Sequence, residues 1–113
     1  MEIVKKAKIS VNGKSEEVEA IIDTGAAKTM IDEETLLKIG APHMGNRAVQ
    51  SMGEFKDVKP QYATNVEIDN CEFELVVTGG KKNLIGHDFL QLAKAIMNEE
   101  TGEVKLTKNY IEM

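Results

Sequence analysis

Apolar and polar residues alternate along much of the chain with the period of two that is typical of β-strands. The first such stretch covers residues 3–22, where β-type segments flank Asn12-Gly13, a dipeptide that favours a two-residue hairpin turn. The second is QYATNVEIDNCEFELVV, which alternates on both sides of Asp69-Asn70. We therefore predict two antiparallel hairpins at these places.

Two short segments depart from this alternation and predict helices. In IDEETLLKIG, Asp32 is a plausible N-cap, acidic residues follow it in the first turn, and Gly40 can end the helix. Further along, NLIGHDFLQLAKA predicts a short apolar strand, a glycine and a second helix. Asp88 and Gln91 have the spacing of a capping box for that helix.

Weaker signals predict the remaining elements. Residues 41–57 contain two glycines and many polar side chains, which indicates a hairpin with its tip at 51–54. A break is expected at 79–82, a hairpin turn at 100–102, and a short β-type segment at 109–113. The sum is a mostly β fold of short antiparallel strands with one or two short helices.

Length and composition narrow the class of protein. A chain of 113 residues, 42% apolar and 29% charged, predicts a single globular domain covering residues 1–113. The net charge of −5 gives no reason to expect nucleic acid as a partner. No apolar run approaches a membrane span and no signal-peptide pattern opens the chain, while the lone Cys71 excludes an internal disulfide. We expect a cytoplasmic protein with no membrane partner.

The stretch AIIDTGAAKTMID, residues 20–32, raises a chemical question. Asp23 follows a run of β-formers and precedes Thr24-Gly25, although a carboxylate among apolar neighbours is costly unless it is hydrogen-bonded. A tight turn with a glycine can supply backbone N–H donors to such a carboxylate. Taken alone, the tripeptide is most simply a turn, but the apolar residues on both sides predict a turn packed inside the protein.

Two motifs together resemble a known family. IIDTGAAKTMI resembles the active-site loop of aspartic proteases, and NLIGHDFL is similar to the second signature of their retropepsin-like, retroviral-type branch. The later glycine follows Asp23 by 63 residues, and the hairpins and helices come in the expected order. The resemblance covers nearly the whole chain and implies a closed, folded antiparallel β barrel of the acid protease type. In it, the catalytic loop would be backed by Leu84, Ile85 and Gly86.

The resemblance also implies an activity, that of an aspartic endopeptidase acting on a peptide or an unfolded protein without a metal or organic cofactor. In this family two carboxylates hold one water molecule. One carboxylate removes a proton from the water, and the other polarises the scissile carbonyl. This chain has one Asp-Thr-Gly, so the second carboxylate would be Asp23 of a second copy in a twofold homodimer. Thr24 would lock the two loops together, Gly25 would let the substrate approach closely, and Ala26 would support the loop.

By the same resemblance, residues 45–58 would be a flap that closes over an extended substrate. Its tip would be formed by Ser51, Met52 and Gly53. The terminal segments 3–9 and 107–113 would pair across the dimer and so hide edges that are liable to aggregate.

Some positions depart from the retroviral pattern, and other interpretations stay open. His87 and Ala27 stand where retroviral enzymes carry an Arg and an Asp that pair with each other. Lys28 could favour an acidic substrate group or could be a solvated lysine, and His43 and His87 are too few for a zinc site. One alternative is a catalytically silent peptide-binding or dimerisation module with the same fold. Another is a monomeric domain of a larger assembly.

Overall fold

The computed structural model describes residues 2–50, 56–93, 96–98 and 103–105. Within these ranges the chain forms nine strands and two short helices. In chain order they are β1 (Ile3–Val11), β2 (Lys14–Ile22), β3 (Met30–Asp32), α1 (Glu33–Lys38), β4 (His43–Gln50), β5 (Lys56–Ile68), β6 (Cys71–Gly80), β7 (Leu84–Ile85), α2 (His87–Ala93), β8 (Ile96–Asn98) and β9 (Glu103–Lys105).

Six of the strands close into a barrel. The order β1-β2-β7-β3-β6-β5 returns to its start because residues 8–10 of β1 pair with residues 65–67 of β5. Most neighbours are antiparallel, and the pairs β2–β7 and β3–β6 are parallel. A closed sheet leaves no free edge within the ring. The mostly β barrel with short helices that the sequence predicted is thus confirmed.

Strand β4 lies outside the ring, and among the described residues it pairs with the first half of β5 alone. We call this pair, residues 43–50 and 56–62, the β4–β5 arm. It confirms a hairpin over residues 41–57, whose predicted tip lies outside the described residues. Strands β8 and β9 form a separate two-stranded sheet, in agreement with the last predicted hairpin. Its turn and the terminal segment 109–113 also lie outside the described residues.

Local turn chemistry explains the two predicted hairpins. Asn12 and Gly13 have φ values of 50° and 85°, and Asp69 and Asn70 have values of 51° and 67°. Positive φ at both central residues is the requirement of a tight turn whose twist matches that of the strands, and Asn, Asp and Gly tolerate it best. Both hairpins form as predicted.

The barrel interior and the inner sides of the two helices form one hydrophobic core. Helix α2 contributes Phe89, whose ring meets that of Phe73 edge-on at 5.5 Å between centroids. The largest fully buried apolar side chains of this core are Phe89, Ile9, Ile31, Leu36, Ile68, Ile85, Val66 and Val77. None of the helices that the structure describes is long and apolar enough to cross a membrane.

Helix α1 begins and ends where the sequence predicts. The Asp32 carboxylate accepts a hydrogen bond from the Thr35 amide at 3.4 Å, and Gly40 has a φ of 74° just beyond the helix. The hydroxyl of Tyr62, which is buried, donates to the Glu33 carboxylate at 2.7 Å. This hydrogen bond, together with burial and the charge of Glu33, raises the pKa of Tyr62 above its usual value.

The break predicted at residues 79–82 is wrong in its first half, because β6 continues through Gly80. The two glycines serve packing instead of a turn. A Cβ on Gly79 would lie 2.8 Å from the Tyr62 ring, and one on Gly80 would lie 2.5 Å from the Met30 sulfur. Their missing side chains leave room for these neighbours against the strand, and the chain leaves the sheet at Lys81.

Candidate active site

Asp23 stands at the end of β2 in a turn closed by hydrogen bonds. Its amide continues the hydrogen bonding between β2 and β7 by donating to the Ile85 carbonyl at 2.9 Å. The Ala26 amide donates to the Asp23 carbonyl at 3.1 Å and closes the turn. The Gly25 amide donates to Asp23 Oδ1 at 3.0 Å. The glycine of the turn therefore supplies the N–H donor that the carboxylate requires.

The sequence predicts that this turn is packed inside the protein, but in the structure the turn lies at the surface of the chain. Thr24, Gly25 and Ala27 are exposed, and Asp23 is half-buried. The reason is the alternation of a strand: Ile22 points into the barrel, so the next side chain, Asp23, points out of it. The carboxylate is thus held in place on one side and accessible on the other.

The start of α2 fastens the loop through backbone atoms. The His87 amide donates to the Ala26 carbonyl at 2.7 Å, and the Asp88 amide donates to the Ala27 carbonyl at 3.2 Å. Gly86 lies directly against this segment, since a Cβ there would be 2.6 Å from the Lys28 carbonyl group. Only a glycine permits so close an approach of two backbones.

Thr29 connects the loop to α2 from inside the protein. Its side chain is fully buried, and its hydroxyl donates to Asp88 Oδ1 at 2.7 Å and accepts from the Gly86 amide at 3.1 Å. The Thr29 amide also donates to both Asp88 oxygens at 3.1 Å. These bonds join positions that are 57 and 59 residues apart in the sequence.

The predicted capping box of Asp88 and Gln91 is wrong. Helix α2 begins at His87, so Asp88 lies within its first turn and not before it. The Asp88 carboxylate accepts from Thr29 and from the Phe89 amide at 2.7 Å. The Asp88 side chain, which local spacing predicts to be a helix cap, thus binds Thr29, a residue distant in sequence. The Thr in AAKTMI was the one available signal of this contact.

The structure brings most of the predicted site residues together. Strand β7 lies between β2 and β3, with Ile85 fully buried behind the loop and Leu84 half-buried beside it. The loop residues Asp23, Thr24, Gly25 and Ala26 therefore share one site with Leu84, Ile85 and Gly86. Ser51, Met52 and Gly53 lie outside the described residues.

The other polar groups singled out in the sequence have local roles in the structure. His43 Nε2 lies 3.1 Å from Asn46 Oδ1, and its ring meets that of Tyr62 edge-on. Asp69 forms an ion pair with Lys5 at 2.6 Å. Within the part of the chain that the structure describes, no group of three His, Cys, Asp or Glu side chains is placed to hold a metal ion.

Comparison with known proteins begins with families. Residues 7–92 match the family model described as "gag-polyprotein putative aspartyl protease". This range begins within β1 and includes the Asp23 turn, the other five strands of the barrel and nearly all of α2. No curated protein sequence matches the chain.

Solved structures of proteases have the same fold. The retroviral protease-like domain of Ddi1 from Leishmania major aligns with a TM-score of 0.58 and 14% identity, covering 91% of this chain and 87% of that one. The EIAV protease, solved with the inhibitor HBY-793, aligns with a TM-score of 0.56 and 12% identity, covering 80% and 86%. The foamy viral protease-reverse transcriptase, solved with an RNA/DNA hybrid, aligns with a TM-score of 0.57 and 18% identity. The match covers 78% of this chain but 12% of the viral one.

At these identities the structural likeness concerns the fold, while the family match concerns the sequence itself. Both agree with the resemblance that the two motifs carry. This chain belongs to the gag-polyprotein aspartyl protease family and has the retropepsin-like fold.

Proposed function

We propose that the protein is an aspartic endopeptidase that hydrolyses peptide bonds in extended polypeptides, with Asp23 as the catalytic residue. The observation that carries the proposal is the state of its carboxylate. One oxygen is fixed by the Gly25 amide at 3.0 Å, and the side chain is half-exposed at the end of a strand. A fixed and accessible carboxylate in a member of this protease family is suited to activating water.

The chemistry requires a second carboxylate, which we propose comes from Asp23 of a second copy. Two carboxyls about 3 Å apart cannot both ionise, so the pair shares one proton. The ionised member removes a proton from the water, whose oxygen attacks the scissile carbonyl carbon. The protonated member donates a hydrogen bond to the carbonyl oxygen. A proton then passes to the amide nitrogen as the carbon–nitrogen bond breaks, and no metal or organic cofactor is needed.

Twofold pairing is supported by the exposure of the loop. Thr24 and Gly25 are exposed in the single chain, so the tip of the loop is free to meet its symmetry mate. In this arrangement Thr24 locks the two loops together. The substrate lies extended beneath the β4–β5 arm and forms backbone hydrogen bonds, as peptides do when they add a strand to a sheet.

The test compares the wild-type protein with Asp23→Asn and with Asp69→Asn as a matched control. Each variant removes one carboxylate and keeps its shape, and Asp69 lies in an exposed turn where Asn is tolerated. An unfolded protein is offered at about pH 4 to 7, where shared-proton dyads change state, and products are identified by mass spectrometry. We expect cleavage by the wild type and by Asp69→Asn, and none by Asp23→Asn.

Folding and mass must be matched for that comparison, by circular dichroism and sedimentation. The active species should have about twice the chain mass of 12.5 kDa. Equal cleavage by Asp23→Asn would assign the activity to another site, and a monomeric active species would contradict the shared dyad. If no protein cleaves a broad peptide library but peptides still bind, the chain is the catalytically silent binding module instead.

A further inference from the structure

The face of the sheet that carries Asp23 can be followed from strand to strand. Ile21, two residues before Asp23 on β2, pairs with Leu84, which in turn pairs with Met30. Met30 pairs with Thr78 on β6. Residues that are paired across strands, or that lie two apart along one strand, share a face of the sheet. This row therefore leads from the catalytic loop across the outer face of the barrel.

The same row continues onto the β4–β5 arm. Thr78 pairs with Gln61 on β5, and its hydroxyl lies 3.3 Å from the Gln61 side-chain oxygen. Two residues before Gln61 on the same strand is Lys59, whose direct cross-strand partner is Arg47 on β4. By register, Arg47 and Lys59 thus stand on the face that carries Asp23.

Two cations directly opposite each other are unfavourable in a sheet. The chain has a net charge of −5, so a basic composition does not explain them. Arg47 is exposed and Lys59 half-buried, and neither forms an ion pair with any residue that the structure describes. Asp57, on the same face opposite Val49, also makes no ion pair with them. An anion placed between the two cations would relieve their repulsion and accept charge-assisted hydrogen bonds.

We infer that Arg47 and Lys59 form a basic subsite that selects substrates with an acidic side chain on the flank of the scissile bond. The inference rests on the proposed function. Both cations lie on the β4–β5 arm, beneath which the proposed substrate extends, and not beside Asp23 itself. The acidic residue therefore lies several residues away from the bond that is cut. In a twofold dimer the same preference holds on both sides.

The experiment uses paired peptides that differ only in charge. Each has two apolar residues at its centre, chosen because Ile21, Leu84 and Met30 make the row apolar beside Asp23, and its flanking positions carry either Glu or Gln. The wild type is compared with the double variant Arg47→Gln/Lys59→Gln. The control is Lys8→Gln/Lys14→Gln, which removes two exposed lysines from the β1–β2 hairpin.

We expect the wild type to cleave the Glu peptides with a kcat/KM about fivefold higher than the Gln peptides at low salt, as exposed ion pairs permit. The ratio should fall towards one in 1 M salt, where screening acts within about 3 Å. Arg47→Gln/Lys59→Gln should bring the ratio to one, whatever its rate on the Gln peptides, and the control should keep the ratio of the wild type. A ratio of one in the wild type, or a ratio that the double variant leaves unchanged, would overturn the inference.

A binding assay separates failure of this inference from failure of the proposed function. If no peptide is cleaved, the proposed activity has failed, and fluorescein-labelled copies of the same peptides are titrated into Asp23→Asn by anisotropy. Tighter binding of the Glu peptides, lost in Arg47→Gln/Lys59→Gln on that background, supports the basic subsite. Equal binding, or no binding of either peptide, overturns it.

Discussion

Replacing Thr29 by Val should destabilise the protein although the two side chains have nearly the same shape. The hydroxyl of Thr29 is fully buried, donates to Asp88 at 2.7 Å and accepts from the Gly86 amide at 3.1 Å. Valine fills the same volume, so no cavity opens. It leaves the Gly86 amide without its acceptor and takes one donor from the Asp88 carboxylate.

The magnitude follows from those two losses. A hydrogen bond to a charged group contributes about 1.5–3 kcal/mol, and a buried donor left unsatisfied costs about 1–3 kcal/mol. Asp88 is half-buried and keeps the amides of residue 29 and Phe89 as donors, which favours the lower half of both ranges. We expect Thr29→Val to lower the free energy of unfolding by about 3 kcal/mol. Thr29→Ser keeps the hydroxyl and loses one buried methyl, which costs about 1 kcal/mol.

Urea denaturation of the three proteins tests this difference. All are measured at one protein concentration, because the proposed dimer would make apparent stability depend on concentration, and their m-values should agree. Val should be less stable than Ser by about 2 kcal/mol, and a double-mutant cycle with Asp88→Asn should give a coupling of about 1 kcal/mol. A Val variant within about 0.5 kcal/mol of Ser, near the resolution of additivity, would refute the assignment of the hydroxyl as the connection between loop and helix.

Three further predictions follow from single contacts. Gly86→Ala should destabilise the protein by about 1–3 kcal/mol and lower kcat/KM, because its methyl group would lie 2.6 Å from the Lys28 carbonyl group; wild-type values in urea and cleavage assays would contradict this. The raised pKa of Tyr62 keeps it neutral in the folded state, so stability should fall as the pH rises above 10.0 and the unfolded chain ionises. Tyr62→Phe should reduce that fall in urea titrations at pH 8 to 11, and an unchanged slope would contradict it. Asp32→Ala should cost about 1 kcal/mol by removing the α1 cap, whereas Asp57→Ala, at an exposed strand position, should leave the urea midpoint unchanged.

The elements predicted correctly are those specified by neighbouring residues. Asn12-Gly13 needs no distant partner to favour a tight turn, and neither does Asp69-Asn70. Asp32 caps α1 through an amide three residues away. The order of such local signals, with the two family motifs, was sufficient to predict the barrel.

The predictions that were wrong concern residues whose structure is determined by a contact distant in sequence. The sequence predicts a break at Gly79, yet Gly79 is a strand residue on which the Tyr62 ring packs from 17 positions away. Asp88 had the spacing of a cap, yet Thr29 takes its carboxylate across 59 positions. The apolar residues around Asp23 predict a buried turn, but in the structure those that are buried lie on the opposite face of the sheet from Asp23. Ile22 and Ile85 fill the interior, and Asp23 follows on the opposite face.

The absence of the retroviral Arg–Asp pair leaves the Asp23 turn in place, because the turn does not depend on side-chain charge at those positions. Ala26 and Ala27 are held by backbone hydrogen bonds to residues 87 and 88, which form whatever side chains stand there. Thr29 and Asp88 add a connection that is internal to one chain. The position of Asp23 is therefore set by contacts within a single chain. The consequences of having Ala27 and His87, both exposed, should then fall on what binds to this surface, which in our proposal is the second copy and the ends of the substrate.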